Sequence, residues 1–388
     1  MPGELPLPGP DARAISDALV AKLKAAIEQH GGCLPFDTYM NMALYEPGLG
    51  YYSNGLTPFG AQGDFVTAPE SGTLFARCLA RSIASVLQQV DNGCVLELGA
   101  GSGALARVLL PELRSLGASP ERYCILERSA AMRAVQQQAL QSVPEVAACV
   151  EWLDTVPEQP FDGAVFANEV ADALPVSRFR WRSGQVQALG VSWADGKLCW
   201  CDAVADDRMQ DRVRRLAADN DWRGDYLSEF CPGLQPWVRT LCDCLGQGAL
   251  LLIDYGYGRA EYYHPQRSMG TLLCHYRHRA HADPLWFPGL QDITAFVDFT
   301  AIAEAATDAG MRLSGYSSQA RFLAACGIDR LLAETDPADA RRYLQLSNEA
   351  KRLMLPGEMG ERFKCIGFSR HLDQQVVGFA TRDLRSRL

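Results

Sequence analysis

Apolar side chains return at every fourth position in Ile15, Leu19, Leu23 and Ile27, and Gly31-Gly32 follow. That spacing lays one apolar stripe along a helix, which the glycines then stop. Leu74, Phe75, Cys78, Leu79, Ile83, Val86 and Leu87 predict a second helix, from Ser71 to near Asn92-Gly93. Between the two, Tyr45 to Glu70 reads YEPGLGYYSNGLTPFGAQGDFVTAPE. It has too many turn formers for regular structure and too many aromatics for a solvated linker, which predicts an ordered, functional loop.

Short apolar runs then alternate with amphipathic ones. Strands are predicted at Cys94–Leu98, Tyr123–Leu126, Val146–Trp152, Gly163–Ala167 and Leu250–Ile253. A helix carrying Leu105, Val108 and Leu109 follows the first strand, and one that Ser129 can cap follows the second, stopping before Pro144. Such alternation predicts the α/β class: a parallel sheet with helices on both faces and right-handed crossovers. Arg178 to Val204 alternates aromatic and polar residues around Ser183-Gly184 and Asp195-Gly196, the pattern of an inserted β-meander. A mixed His- and Pro-rich insertion runs from Tyr255 to about Gln291. Phe299–Ala309 predicts a helix, Arg312–Tyr316 a strand, Arg321–Lys351 helical structure, and Phe363–Phe368 a closing strand. The expected organisation is a helical N-terminal region over 1–90, a core over 91–176, an inserted meander and helical segment over 177–235, core again over 236–256, an insertion over 257–298, and completion of the core over 299–388.

The 388 residues are 48% hydrophobic and 21% charged, ample for packed cores and incompatible with global disorder. No apolar run approaches the roughly 20 residues of a membrane-spanning helix. The N-terminal MPGELPLPGPDARAIS has no basic patch followed by an apolar stretch, so neither a signal nor a transit peptide is expected, and the expected compartment is the cytoplasm. The 13 cysteines are scattered with no Cys-x-x-Cys pair, which reads as buried free thiols in a reducing environment. Lys+Arg of 37 against Asp+Glu of 46 gives a net charge of −9, and no basic footprint for nucleic acid is present.

The sharpest motif is Val95-Leu-Glu-Leu-Gly-Ala-Gly-Ser-Gly103. Gly99, Gly101 and Gly103 at a strand-to-helix turn let a ligand lie against bare backbone. The spacing is G-x-G-x-G, whereas the dinucleotide fingerprint is G-x-G-x-x-G. Glu97 suits an amine or sulfonium rather than a diphosphate. Glu127 closes the second strand, where an acid grips a ribose diol. Together these predict S-adenosyl-L-methionine as cofactor, and Asp154, beyond the third strand, is counted with its binding residues. The fourth strand ends in Asn168-Glu169, with Asp172 close behind. At the carboxyl end of such a sheet, these groups face the ligand crevice, and paired carboxylates can hold a guanidinium by bidentate hydrogen bonds. The plainer alternative is that Asp172 caps a helix and Asn168 satisfies a turn.

The chain resembles the MidA-like family of class I methyltransferases from Tyr39 to about Phe368. The resemblance is carried by YEPGLGYY (45–52), GDFVTAPE (63–70), LELGAGSG (96–103), ANEVADALPV (167–176), LLIDYG (251–256), TLLCHYRHRAHADP (271–284), DITAFVDFT (292–300) and MGERFKCIGFS (359–369). That family includes a mitochondrial respiratory complex I assembly factor that methylates a protein arginine. The resemblance implies a class I Rossmann-like sheet and a protein-arginine N-methyltransferase acting on an NADH dehydrogenase subunit or a similar protein. It implies that GDFVTAPE covers the cofactor, with Asp64, Thr67, Pro69 and Glu70 near the cleft. Glu169 and Asp172, with Asn168, would face the acceptor; Asp64 and Glu70 are second choices, and Asp254-Tyr255-Gly256 is a further candidate for the cleft wall.

Cys274, His275, His278 and His281 invite a metal reading. On a helix the three histidines would drift around the surface, and Arg277 and Arg279 would repel a cation, so no metal is expected and a part in substrate docking or loop bracing fits better. Tyr51, Tyr52, Trp286 and Phe287 are candidates for an acceptor channel or, equally, for core. Two other functions stay open: methylation of a small-molecule amine, and a non-catalytic assembly chaperone with the same fold. A homodimer and the absence of membrane insertion complete the expectations.

Overall fold

The apolar runs of the βα region become strands of one sheet in a computed structural model of the chain, which describes residues 5–56, 72–336, 338–379 and 383–388. The strands are β1 (Cys94–Leu98), β2 (Arg122–Leu126), β3 (Val150–Leu153), β4 (Phe161–Asn168), β5 (Leu245–Tyr257), β6 (Arg312–Ser318) and β7 (Phe363–Arg370). Their order is β6-β7-β5-β4-β1-β2-β3, with β7 antiparallel to both neighbours and the other neighbouring pairs parallel. The chain leaves β1 toward one edge and returns to β4 on its other side, so the strand order reverses between β1 and β4. At such a switch point the carboxyl ends of the strands open a crevice for ligand.

Val95, Ile125, Ala164 and Phe166 of this sheet pack with Leu79, Ile83 and Leu109 in one buried core. They are drawn from helices Leu74–Leu87 and Ala104–Ser115 and from the strands themselves. Ser129 caps helix Ala130–Leu140, its hydroxyl accepting from the Met132 N–H at 3.4 Å. The third strand is shorter than the apolar run predicts: Pro144–Ala147 forms a helical turn before β3. Proline at the first helical position explains the swap, since its fixed φ suits that place and it lacks the N–H a strand would use.

The chain divides into two units, each assembled from three segments. The sheet unit holds Val66–Ala171, Gln235–Gly258 and Phe299–Leu388; the other, the meander unit, holds Met1–Phe65, Asp172–Leu234 and Arg259–Asp298. In the meander unit, Leu19, Leu23 and Ile27 of helix Pro10–Gln29 are buried with Phe36, Tyr39 and Val191. Strands Ser177–Arg182, Gln185–Ala194 and Lys197–Val204 form the predicted meander, joined by two-residue turns at Ser183-Gly184 (φ 49° and 81°) and Asp195-Gly196 (φ 52° and 77°). Positive φ at both central residues matches the twist of a tight hairpin, and glycine takes the second place without strain.

Two expectations are corrected in this unit. The histidine run is not helical: Leu273–Tyr276 pairs antiparallel with Arg279–His281 and with Asp292–Thr294. And the thiols are not all free, because Cys33 is disulfide-bonded to Cys201 across 168 residues of sequence, tying the segment after the first helix to the last meander strand. Cys33 follows the glycine stop and Cys201 lies on a meander strand two residues after the free Cys199, so nothing in the local sequence pairs Cys33 with Cys201. Replacing Cys33 with serine should lower the unfolding free energy by about 2–4 kcal/mol, the usual worth of a bridge closing a long loop. Denaturant melts of wild type and variant would show this, and coincident midpoints would mean that the bridge contributes nothing.

Candidate active site

β1 feeds directly into the glycine turn. Gly99, Gly101 and Gly103 have φ of 66°, 53° and 82°, all in the left-handed region where a side chain is strained. The turn closes with Gly103 N–H donating to the Ala100 carbonyl at 2.8 Å, and helix Ala104–Ser115 starts at once. A Cβ on Gly99 would stand 2.6 Å from Cγ2 of Val170. Two residues before the turn, Glu97 is 2% exposed on β1. Its carboxylate accepts from the Tyr123 hydroxyl at 2.8 Å. Burial pushes the Glu97 carboxyl up to about 7, against the partial opposition of the tyrosine hydrogen bond. An acid poised at neutral pH thus stands directly behind the bare backbone.

Glu127 follows β2 and is half-buried. One oxygen accepts from Ser129 N–H at 2.8 Å, the other from Gln136 Nε2 at 3.1 Å. Gln136 is fully buried, and its Nε2 also donates to the Gly101 carbonyl at 3.0 Å while its Oε1 accepts from Trp152 Nε1 at 2.9 Å. One amide therefore joins the glycine turn, the acid after β2 and the strand β3. Sequence reading passed over Gln136; a glutamine among helix positions gives no sign of burial, and its one clue is a place facing the sheet. Asp154 pairs with Arg133 Nη2 at 2.6 Å, and Arg133 Nε donates to the Glu127 carbonyl at 2.7 Å. The structure thus gathers Glu127, Gln136 and the glycine turn, with Asp154 linked to Glu127 through Arg133 at the rim.

At the end of β4, Asn168 Nδ2 donates to Glu169 Oε1 at 3.2 Å. Glu169 has φ of 55°, a strained value for a residue of this kind. The end of β5 holds this segment. Glu169 N–H donates to the Ile253 carbonyl at 3.0 Å, and Val170 and Ala171 N–H both donate to Asp254 Oδ2, at 3.2 and 3.0 Å. Asp254, 2% exposed, is therefore a brace for the residues after Glu169.

Asp172 opens a segment of the meander unit and is 5% exposed, its carbonyl accepting from Ala295 N–H at 3.0 Å. In that unit Tyr45 donates to the Ala173 carbonyl at 2.9 Å and Tyr52 to Asp292 Oδ1 at 2.8 Å, their rings 5.5 Å apart. Burial, then the carboxylates of Asp292 and Asp172, raise both phenols. Tyr51 packs edge-on against Tyr52, and Trp286 against Phe287. Asp64, Thr67, Pro69 and Glu70 lie outside the described residues. Among the described residues no group of His, Cys, Asp and Glu could hold a metal ion.

A family model of S-adenosyl-L-methionine-dependent methyltransferases matches residues 78–317. The chain belongs to this MidA-like family: it is a methyltransferase of class I fold, and S-adenosyl-L-methionine is its cofactor. It is similar to the crystal structure of a likely methyl transferase from Burkholderia thailandensis bound to S-adenosyl-homocysteine, with 46% identity, a TM-score of 0.95, and coverage of 99% of this chain and 100% of that one. Among curated proteins it is 28% identical to the mitochondrial protein arginine methyltransferase NDUFAF7 homolog of Drosophila melanogaster, covering 98% of this chain and 92% of that protein. It is also 29% identical to the mitochondrial protein arginine methyltransferase NDUFAF7 of Danio rerio, covering 84% and 81%. These names correct the expected cytoplasmic placement, pointing to mitochondria instead.

Gly99→Ala should destabilise the chain by about 2–3 kcal/mol, the left-handed penalty plus the contact with Val170. Gly117→Ala, at φ 67° but with nothing within 4 Å of its Cβ, is the control and pays only the conformational part. A Gly99→Ala/Val170→Ala double variant should fall back to the control value in thermal melts; if it does not, Val170 does not press on the turn.

Proposed function

We propose that the chain methylates an arginine of a protein, the activity named for its curated relatives. The observation that carries this reading is Glu169, held in a strained conformation at the carboxyl end of β4 by the braced segment after it. A strained backbone at a residue with a reactive side chain supports a functional role for that side chain.

The glycine turn fits the methionine end of the cofactor, because its left-handed glycines leave bare backbone, exposed at Gly99 and half-buried at Gly101. Glu97 complements its ammonium, Glu127 suits the ribose hydroxyls, and Gln136 holds the turn and Glu127 in register. Asp154 closes this set. When bound, S-adenosyl-L-methionine supplies an electrophilic methyl on a positively charged sulfur. A guanidinium keeps its proton with a pKa above about 12, so its nitrogen lone pairs are delocalised and weakly nucleophilic. Glu169, oriented by Asn168, draws the positive charge to one edge through paired hydrogen bonds and leaves a nitrogen at the other edge to react. The proton of the methylated nitrogen leaves after transfer, so no strong base is needed. The acceptor protein is a respiratory NADH dehydrogenase subunit or one like it, as the family resemblance implies.

Glu169→Gln should lower methyl transfer by about 10²-fold with S-adenosyl-homocysteine affinity and melting temperature retained. The check is labelled-methyl incorporation into arginine of a mitochondrial protein mixture; equal incorporation by variant and wild type would remove Glu169 from the reaction.

Cofactor affinity should also depend on pH. Glu97, near 7 in the free protein, must give up its proton to pair with the ligand's ammonium. Affinity for S-adenosyl-homocysteine should therefore rise from pH 6 to 8 by up to about tenfold per unit below the free pKa, then level off. Calorimetry on wild type and Glu97→Gln should show the slope in the first and not in the second.

A further inference from the structure

The disulfide of the meander unit has a third sulfur beside it. Along strand Lys197–Val204, Leu198 and Trp200 pack against the apolar core of the unit. Side chains alternate across a strand, so Cys199 and Cys201 share the opposite face, about 7 Å apart along the chain. Cys201 is bonded to Cys33, whereas Cys199 is free and half-buried.

The central strand of the meander, Gln185–Ala194, sets both of them toward Cys33. On one side it pairs Gly190 with Cys201 and Ser192 with Cys199. On the other it pairs Gly190 with Pro35 and Val191 with Leu34, a register that, carried one residue back along the chain, brings Cys33 level with Ser192. A Cβ on Gly190 would stand 2.7 Å from the Cys33 sulfur. That sulfur therefore lies over the bare glycine, on the face that carries Ser192, Cys199 and Cys201. Cys33 is thus level with Cys199 and bonded to the cysteine diagonal to it. The Ser192 hydroxyl is 3.1 Å from the Cys199 sulfur, close enough to donate to it as a thiolate. The other two thiols of the unit, Cys231 and Cys274, lie on other segments, and burial raises both, Cys231 to about 12.

We propose that Cys33, Cys199 and Cys201 form an intramolecular thiol–disulfide exchange site, in which Cys199 takes the place of Cys201 as the partner of Cys33. The Cys199 thiol gives its proton to water, and the thiolate attacks the Cys33 sulfur. The Cys33–Cys201 bond breaks, and the Cys201 sulfur leaves as a thiolate that takes a proton back. One S–S bond forms as another breaks, so no oxidant or reductant is consumed. The two bridges close loops that differ by two residues out of 168, so chain entropy does not choose between them. Either one fastens Leu34–Pro35 to the meander, and an electrophile that caps one of the two strand cysteines leaves the other to hold Cys33.

The test uses the full chain purified without reductant and incubated at pH 8 with no added thiol. Free thiols are then blocked with N-ethylmaleimide in denaturant at pH 6. Chymotrypsin cuts after Trp200 and separates Cys199 from Cys201, so mass spectrometry reads the partner of Cys33. Wild type should show Cys33–Cys199 at about a tenth or more of Cys33–Cys201, since loop entropy does not separate them. It should reach that level faster at pH 9 than at pH 7, because the thiolate is the nucleophile. Cys201→Ser should hold Cys33–Cys199 and melt about 2–6 °C above Cys33→Ser, the variant left with no bridge at this site. Ser192→Ala should reach the same mixture about threefold or more slowly, for want of the hydrogen bond to the attacking sulfur. A wild type in which Cys33 is joined to Cys201 alone overturns the proposal, and so does a cooperatively folded Cys201→Ser chain with both Cys33 and Cys199 alkylated. Should Cys201→Ser fail to fold, the wild-type map decides alone. A Cys33–Cys199 bridge confined to disulfide-linked dimers on a non-reducing gel also overturns it, because that exchange runs between molecules.

Discussion

One buried amide ties the glycine turn of this enzyme to its neighbours. Gln136 has no exposed surface, and each polar atom of its side chain is used: the nitrogen on the Gly101 carbonyl and the Glu127 carboxylate, the oxygen on the Trp152 indole. A buried amide left half-satisfied costs about 1–3 kcal/mol, so the three partners are held in one register or the network is lost together. The glycine turn needs such a tie. Its residues have the largest conformational freedom of any and no side chains with which to hold themselves.

The second brace follows from the sheet. β4 and β5 run parallel, and Asn168 stands beside Ile253 in their register. The residue after each therefore lies at the same level, Glu169 past the end of β4 and Asp254 still within β5, and the Asp254 carboxylate can accept the N–H groups of Val170 and Ala171. Two consecutive N–H groups converging on one oxygen fix the backbone on the far side of Glu169, which lets that residue keep its left-handed pose. A Cβ at Gly99 would in turn meet Val170, so the glycine there leaves room for it. Within the sheet unit, the glycine turn and Glu169 thus both border Val170, whose backbone Asp254 holds.

Features encoded within a few residues were legible in the sequence. The Glu97 and glycine motif, the Ser129 cap, both meander turns and nearly every strand of the sheet depend on local periodicity or on the φ preferences of glycine, serine and aspartate. What escaped depends on distant partners. Gln136 looks like any helical glutamine until β3 arrives with Trp152. Cys33 finds Cys201 only after the meander folds beside the first helix. The N-terminal region joins the two insertions in one unit because its apolar stripe needs Val191 and Ile293 to cover it, residues far along the chain. The Val146–Trp152 run misled for a local reason, since apolar content suited a strand while Pro144 favoured a helical start. The histidine run misled because a helical frame was applied to residues that alternate as a hairpin.

Backbone strain sorts these features by cause. Among the described residues, Asn92, Ser183, Asp195 and Asp221 take positive φ at turns, and each has a short polar side chain able to bond its own backbone. Glu169, Arg277, His278, Phe287 and His371 take it with long or bulky side chains, for which the left-handed region is costlier. For the first group the turn selects the residue, and a glycine or asparagine would serve as well. For the second the fold bears a cost that a smaller residue would remove. At Glu169 that cost is borne by the segment after it, whose two N–H groups converge on Asp254.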